Sequence, residues 1–413
     1  MRLLREAPGQ GSAFFQSHLG DHFHPDRTEH WSAEAFSRLG IHSDLANPAY
    51  LGHRTIKGVA FLDIDETQSN FKHWSPRSAL DRALFIIEMA QQGFVVVPVT
   101  GSPFSGGDPR FNIDDRISRG ELFATPLLIT DGGAQAHLLR EGGYRLSEQY
   151  QKEVKGVIRQ HKGNWHTLHD VFKQQAEETI AHHLGTEWSR DPGAVKEFNE
   201  RNLATKKMSS PVAEIPVVMV QRFTPVAEAD ELGRVNFYVT LPANEQQARK
   251  IIAAIDTRFR EYLEENEMAG LTCFAGFQQS FGFGEHVTQF SFDVGAISKG
   301  LALPSLRMFE SIYGIPVDAR AQLWFGGDGA NDIFFVKNFD QHIARVAPGL
   351  LAPRGTFLVQ PGWEQEELKK GVIAHGWPEH RVVQLRDGGL WCERLRAGFR
   401  EVLGESSSGN FRG

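Results

Sequence analysis

The apolar run Val59-Ala60-Phe61-Leu62 stops abruptly at Asp63-Ile64-Asp65-Glu66-Thr67. A buried strand that ends on two carboxylates two residues apart sets both at one edge of a sheet, where a metal and a phosphate can meet them. A second run, Leu323-Trp324-Phe325, opens in the same way into Gly326-Gly327-Asp328-Gly329-Ala330-Asn331-Asp332, a glycine-loosened turn with two more acids and an amide. Standing alone, either segment reads as a turn or a helix cap. Together they imply more, because uncompensated carboxylates gathered at one sheet edge repel one another. The pair points to a shared Mg2+ site, since this small hard cation takes oxygen ligands from a few carboxylates and substrate phosphate.

What lies between the two acidic ends sets the architecture. From Lys57 to about Ala136 the pattern alternates: strand Val59 to Leu62, a helix, strand Phe94 to Val99, then Leu127 to Ile129. Ser75 suits the helix N-cap, Pro76 its first position and Gly93 its end, with Leu80, Leu84 and Ile87 or Glu88 marking the inner face and rim. Alternation of this kind predicts an α/β fold, a doubly wound parallel sheet covered by helices. Pro98 conflicts locally, because it withholds one ladder donor.

Residues 137–290 read differently. A long amphipathic region from Leu146 to about His183 leads into strands at Val217 to Phe223 and Val235 to Leu241, a helix from Glu245 to about Glu265, and strands near Leu271 to Phe277 and Val287 to Phe292. This predicts an inserted α+β cap with an antiparallel sheet. The α/β pattern resumes with Lys299 and a helix through Tyr313 that carries Pro304 in its first turn. The expected organisation is an N-terminal extension at 1–55, a core from 56–136 and 291–360, the cap at 137–290, and a C-terminal extension at 361–413 whose tail from Ser406 lacks structure.

A chain of 413 residues with 41% apolar residues is long enough for two cores. Its net charge of −7 gives no footprint for nucleic acid or an anionic membrane. No apolar stretch of signal-peptide length follows Met1-Arg2-Leu3-Leu4-Arg5, and no run reaches membrane-span length, so a cytoplasmic location is expected. Cys273 and Cys392 are too few for a disulfide framework or zinc cluster. His22, His24, the stretch His161 to His169, and His182-His183 have no cysteine partners or familiar closed-site spacing, and read as surface or packing residues.

In a doubly wound sheet, ligands bind beyond the carboxyl ends of the strands, where Asp63, Asp65, Thr100, Asp328 and Asp332 all fall. In that setting Asp63 would attack phosphorus, and Asp65 would protonate the leaving alcohol and later deprotonate water. Asp328 and Asp332 would anchor the metal together with Asp63 and Asp65, with Asn331 as a helper. Lys299 and Thr100 would steady charge on the phosphate, aided by Thr67 and by Gly101 and Ser102, which offer backbone amides.

In order along the chain, Asp63-Ile64-Asp65-Glu66-Thr67, Thr100, Ile297-Ser298-Lys299-Gly300-Leu301-Ala302-Leu303 and Gly327-Asp328-Gly329-Ala330-Asn331-Asp332 resemble the four motifs of the haloacid dehalogenase-like phosphatases. The insert between the second and third motifs is similar to that of the type-2-capped branch, which includes the Cof-like sugar phosphatases and sucrose-phosphate phosphatase. Thr130-Asp131-Gly132-Gly133-Ala134 resembles that branch's Asn-Gly-Ala segment, with Asp131 and Gly132 departing from it. Glu66 and Gln68 depart from the usual Gly-Thr-Leu, and Ser102 stands where many members of the branch have Arg. The resemblance implies a Rossmann-like core, a mobile cap, Mg2+ and hydrolysis through an aspartyl-phosphate. The substrate class it implies is a small phosphorylated metabolite, with a sugar phosphate leading. A phosphomutase and a catalytically weak binding or regulatory protein are the alternatives.

Overall fold

The computed structural model describes residues 46–65, 67–68, 76–105, 112–118, 121–140, 143–204, 208–220, 233–266, 272–278, 284–295, 297–337, 339–351, 354–362 and 365–408. Expectations placed on residues 1–45, Glu66, Ser75, the end of the strand read at Val217 to Phe223, and the end of the tail from Gly409 lie outside these. In chain order the strands are β1 (Ile56–Leu62), β2 (Phe94–Pro98), β3 (Leu127–Thr130), β4 (Gln135–Arg140), β5 (Gly143–Leu146), β6 (Val218–Val220), β7 (Arg234–Pro242), β8 (Thr272–Gln278), β9 (Val287–Gly295), β10 (Val317–Gly327), β11 (Arg354–Val359) and β12 (Val382–Gln384).

The chain divides into two compact units. The first takes the described residues up to Gln151, then Lys299–Asp328 and those from Asp332 onward; the second takes Lys152–Ser298 and Gly329–Asn331. At the centre of the first is a five-stranded sheet in the order β12-β11-β10-β1-β2, parallel throughout. This is an α/β fold with helices on both faces. Ala60, Leu62, Val96, Trp324 and Leu358 pack on one side under the helices Pro76–Gln91 and Trp391–Ser408. The alternate residues turn the other way, and there Phe325 meets the rings of Phe335, Phe339 and Trp377. A strand buried on both faces must be apolar at consecutive positions, which is why Val59 to Leu62 and Leu323 to Phe325 read as unbroken runs.

Pro98 causes no break. It is the last residue of β2, opposite Leu62, at the sheet's edge. The Val99 amide donates toward Leu62 and the Thr100 amide donates to Ile129, so by alternation the missing Pro98 donor faces away from β1. β3, β4 and β5 form an antiparallel sheet in the same unit, so the hairpin at 135–146 belongs with the core and not with the insert that was expected to begin at 137.

Three further differences from expectation are local. The segment after Lys299 is a 3-10 helix, Lys299–Met308, followed by the short helix Phe309–Tyr313. Pro304 lies inside it and supplies no amide for regular i to i−4 bonding. On the helix Pro76–Gln91 the buried set is broader than the stripe read from spacing, with Ala83, Phe85, Ile86, Met89 and Ala90 joining Ile87. The C-terminal helix continues through Gly404 to Ser408, past the point where structure was expected to end.

The second unit holds a four-stranded antiparallel sheet in the order β6-β7-β9-β8. Helices Glu148–Leu184 and Glu245–Glu265 cover one face, burying Leu168, Phe172, Ile251, Ile255 and Phe259 against Phe237, Val239, Phe290 and Phe292. Asn244 caps the second of these helices, its side chain accepting from the Gln247 amide at 2.9 Å. No helix of the described residues is long and apolar enough to cross a membrane.

Candidate active site

Strand order fixes where the acids meet. The chain runs outward from β1 to β2 on one side and from β10 through β11 to β12 on the other, so the order reverses between β1 and β10. At such a switch point the following loops diverge and leave a crevice at the carboxyl ends. Leu62 lies beside Gly326, and the Asp63 amide donates to the Gly326 carbonyl at 3.0 Å. Parallel register therefore delivers both acidic segments to one place.

Asp63, Asp328 and Asp332 gather there, with one oxygen from each lying within 4.8 Å of the others. Lys299 reaches in from the 3-10 helix, its Nζ 2.6 Å from Asp63 Oδ1 and 2.5 Å from Asp332 Oδ1. The Asp332 carboxylate also accepts from the Asp328 amide at 3.0 Å. That return is open only because residue 327 is glycine: a Cβ there would stand 2.0 Å from Asp332 Oδ2. Asn331 is half-buried in the same 3-10 turn, Ala330–Phe335.

Electrostatics follow from burial. Desolvation pushes the Asp63 carboxyl up to about 7; Lys299 opposes it, while Asp332 and Asp65 reinforce it. For Lys299 desolvation acts against the ammonium, yet Asp332 and Asp63 outweigh it and hold the amine charged well above its ordinary range. A cation at the start of a helix opposes the macrodipole, and these two carboxylates supply the reason it stands there.

The donor set suits a hard divalent cation. It consists of carboxylate oxygens alone, and its three acids carry more negative charge than one ammonium balances. A further cation would offset the desolvation, and the repulsion from Asp332 and Asp65, that together raise Asp63.

The other expected site residues occupy the same sheet edge in different ways. Asp65 is not one of the three gathered acids: Arg116 Nη1 stands 2.9 Å from its Oδ1, and Arg116 Nε lies 3.5 Å from Glu121. Thr67 is buried and its hydroxyl donates to Asp328 Oδ1 at 3.2 Å. The Thr100 hydroxyl accepts from the Ser102 amide at 3.0 Å and closes the loop after β2, with Gly101 exposed and Ser102 half-buried. Asp131 packs on this loop, its amide donating to Ser102 and the Gly132 amide to Thr100. Asp131 adopts φ 53°, a left-handed conformation that aspartate tolerates better than most residues.

Sequence reasoning did not find Arg82, Arg116, Gln68 and Gln360 as members or partners of the segment Asp63 to Gln68 that follows β1. Gln68, seen only as a departure from the family pattern, donates from its amide to Leu62 and Asp63 carbonyls at 3.1 and 2.8 Å and lies 3.2 Å from Arg82 Nε. The one available signal was its place directly after the acidic strand end.

No protein-family model matches the sequence, and no curated protein matches it. Among solved structures, the chain is similar to a haloacid dehalogenase-like hydrolase, YhjK of Bacillus subtilis, at 14% identity, over 85% of this chain and 93% of that one, with a TM-score of 0.35.

Proposed function

We propose that the chain is a Mg2+-dependent phosphomonoesterase of the haloacid dehalogenase-like type, acting on a small phosphorylated metabolite. The observation that carries this reading is the Lys299 ammonium held between Asp63 and Asp332 with Asp328 beside them, at the switch point of a parallel sheet. Asp63, Asp328 and Asp332 would hold the metal, which when bound neutralises charge on the phosphate and lets an anionic nucleophile approach it.

The chain's own groups do the rest. An Asp63 oxygen attacks phosphorus and the ester P–O bond breaks, leaving an aspartyl-phosphate. Asp65 gives a proton to the departing alkoxide, then takes one from the water that attacks phosphorus and releases Asp63. Arg116 fixes the Asp65 carboxylate between these events. Lys299, with Thr100 and the Gly101 and Ser102 amides, steadies the equatorial oxygens, and Thr67 steadies Asp328.

The test is phosphate release from a panel of phosphorylated metabolites, sugar phosphates first, with Mg2+ present and Asp63→Asn as control. Turnover should fall at least about a thousandfold in the variant. Turnover that survives Asp63→Asn removes the nucleophile; no turnover on any substrate favours a binding protein on the same scaffold. Transfer of phosphate back to a second position of the sugar identifies a mutase.

A further inference from the structure

The C-terminal helix Trp391–Ser408 lies beyond the stretch that resembles the phosphatases, yet its first turn meets the catalytic loop through one buried side chain. Gln360 directly follows β11 and is 0% exposed. Its backbone amide donates to the Gly327 carbonyl at 2.9 Å, pinning it beside the strand end that carries Asp328. Its side-chain nitrogen lies 2.7 Å from the Thr67 carbonyl and 3.0 Å from that of Trp391. A primary amide has two N–H donors, and here each has a carbonyl to serve, so one orientation places the nitrogen on both carbonyls, while Gln360 Oε1 is buried with no hydrogen-bond partner among the described residues. Cys392, next in the helix, donates from Sγ to the Gln68 carbonyl at 3.3 Å.

Thr67 is the residue through which this arrangement reaches the acids, since its hydroxyl donates to Asp328 Oδ1 at 3.2 Å. Thr67 precedes Gln68, whose side chain is already tied to Leu62 and Asp63. With Gln360 on the Thr67 carbonyl, the backbone that carries this hydroxyl is held beside Asp328. Carbonyls buried without a donor are costly, so the amide is not replaceable by an apolar group of equal length.

We infer that Gln360 is a positioning residue: it couples the first turn of the C-terminal helix to the Thr67 backbone and thereby orients Asp328 for the divalent cation. This rests on the proposed role of Asp328 as a metal ligand. Partners that orient a ligand from behind are worth about 10 to 100-fold in metal affinity or activity.

The experiment uses the full-length, metal-stripped chain and reads Mg2+ affinity from the Mg2+-dependent rise in melting temperature, independently of turnover. Gln360→Met keeps the length and removes both donors; Thr67→Val removes the hydroxyl. Each should weaken Mg2+ about tenfold, and the double variant should be no weaker than the weaker single one, because both act along one path. An affinity within about twofold of wild type in Gln360→Met, or losses that simply add in the double variant, overturns the inference while leaving the metal site standing. A wild-type chain with no Mg2+-dependent shift overturns the metal site and the inference together. Should Gln360→Met not fold, Gln360→Asn, whose shorter amide cannot serve both carbonyls, is read by the same criteria.

Discussion

Lys299 and Asp63, separated by 236 positions in the chain, meet at 2.6 Å with their side chains 5% and 9% exposed. A buried ion pair of this kind is a poor source of net stability, because both charges were taken out of water to form it. Its persistence beside two further carboxylates marks a place arranged for chemistry, where burial and crowding hold groups away from their ordinary protonation.

Lys299→Met should destabilise the metal-free chain by about 3 kcal/mol or more, since it leaves Asp63 and Asp332 buried face to face with no cation. Added Mg2+ should recover part of that loss. Denaturant melts with and without Mg2+ check both, and a change under about 1 kcal/mol would remove the bridging ammonium as a structural element.

Gly327→Ala should be among the most damaging single-carbon additions. The new methyl would stand 2.0 Å from Asp332 Oδ2, which the Asp328 amide holds at 3.0 Å while Lys299 grips the other oxygen. We expect a loss of about 3 kcal/mol and a weaker Mg2+ response, measured by thermal melting with a Mg2+ titration. A variant with wild-type stability and metal response would show that Asp332 is free to move.

His137 predicts an acid limit to stability. Its ring stacks on Phe104 at 4.1 Å and contacts the Thr130 hydroxyl at 3.1 Å, and burial lowers its pKa from 6.5 to about 4. The folded value lies below the unfolded one, so its contribution is full above about pH 6.5 and is lost as pH falls toward 4, by up to about 3 kcal/mol. His137→Gln should flatten the stability curve across that window; an unchanged slope would assign it elsewhere.

Arg396 predicts the opposite sign. It binds Asp81 at 3.0 Å and Glu88 at 3.1 Å, fastening the C-terminal helix to the helix Pro76–Gln91. Burial raises Asp81 to about 6 even though Arg396 pulls it down. A folded value above the unfolded one means that the contribution of Asp81 is present below about pH 3.8 and lost as pH rises through 6. Arg396→Ala removes the opposing cation, so it should cost about 2 kcal/mol at pH 8 and much less at pH 5, as read from urea melts at the two pH values. Equal losses at both would make the arginine a packing residue only.

The sequence by itself determined the two buried strands, because a strand covered on both faces must be apolar at every position and the runs Val59 to Leu62 and Leu323 to Phe325 have no other use. It determined the helix Glu245–Glu265, since periodicity is a local property, whereas its Asn244 cap was seen only in the structure. Candidate acids were legible for the same reason: a carboxylate at the end of an apolar run is visible without knowing its partners.

Tertiary structure alone decided which of those acids share a site. Asp63, Asp328 and Asp332 converge because β1 and β10 are parallel neighbours at the reversal of strand order, while Asp65 is taken by Arg116 from a separate short helix, Ile113–Ser118. The same holds for Gln68 and Gln360, whose amides look ordinary in the sequence and acquire meaning only from carbonyls brought to them by the fold. Spacing along a chain encodes which face of an element is buried. The identity of the group across the gap depends on topology, register and the direction of side chains, and no short window of residues carries those.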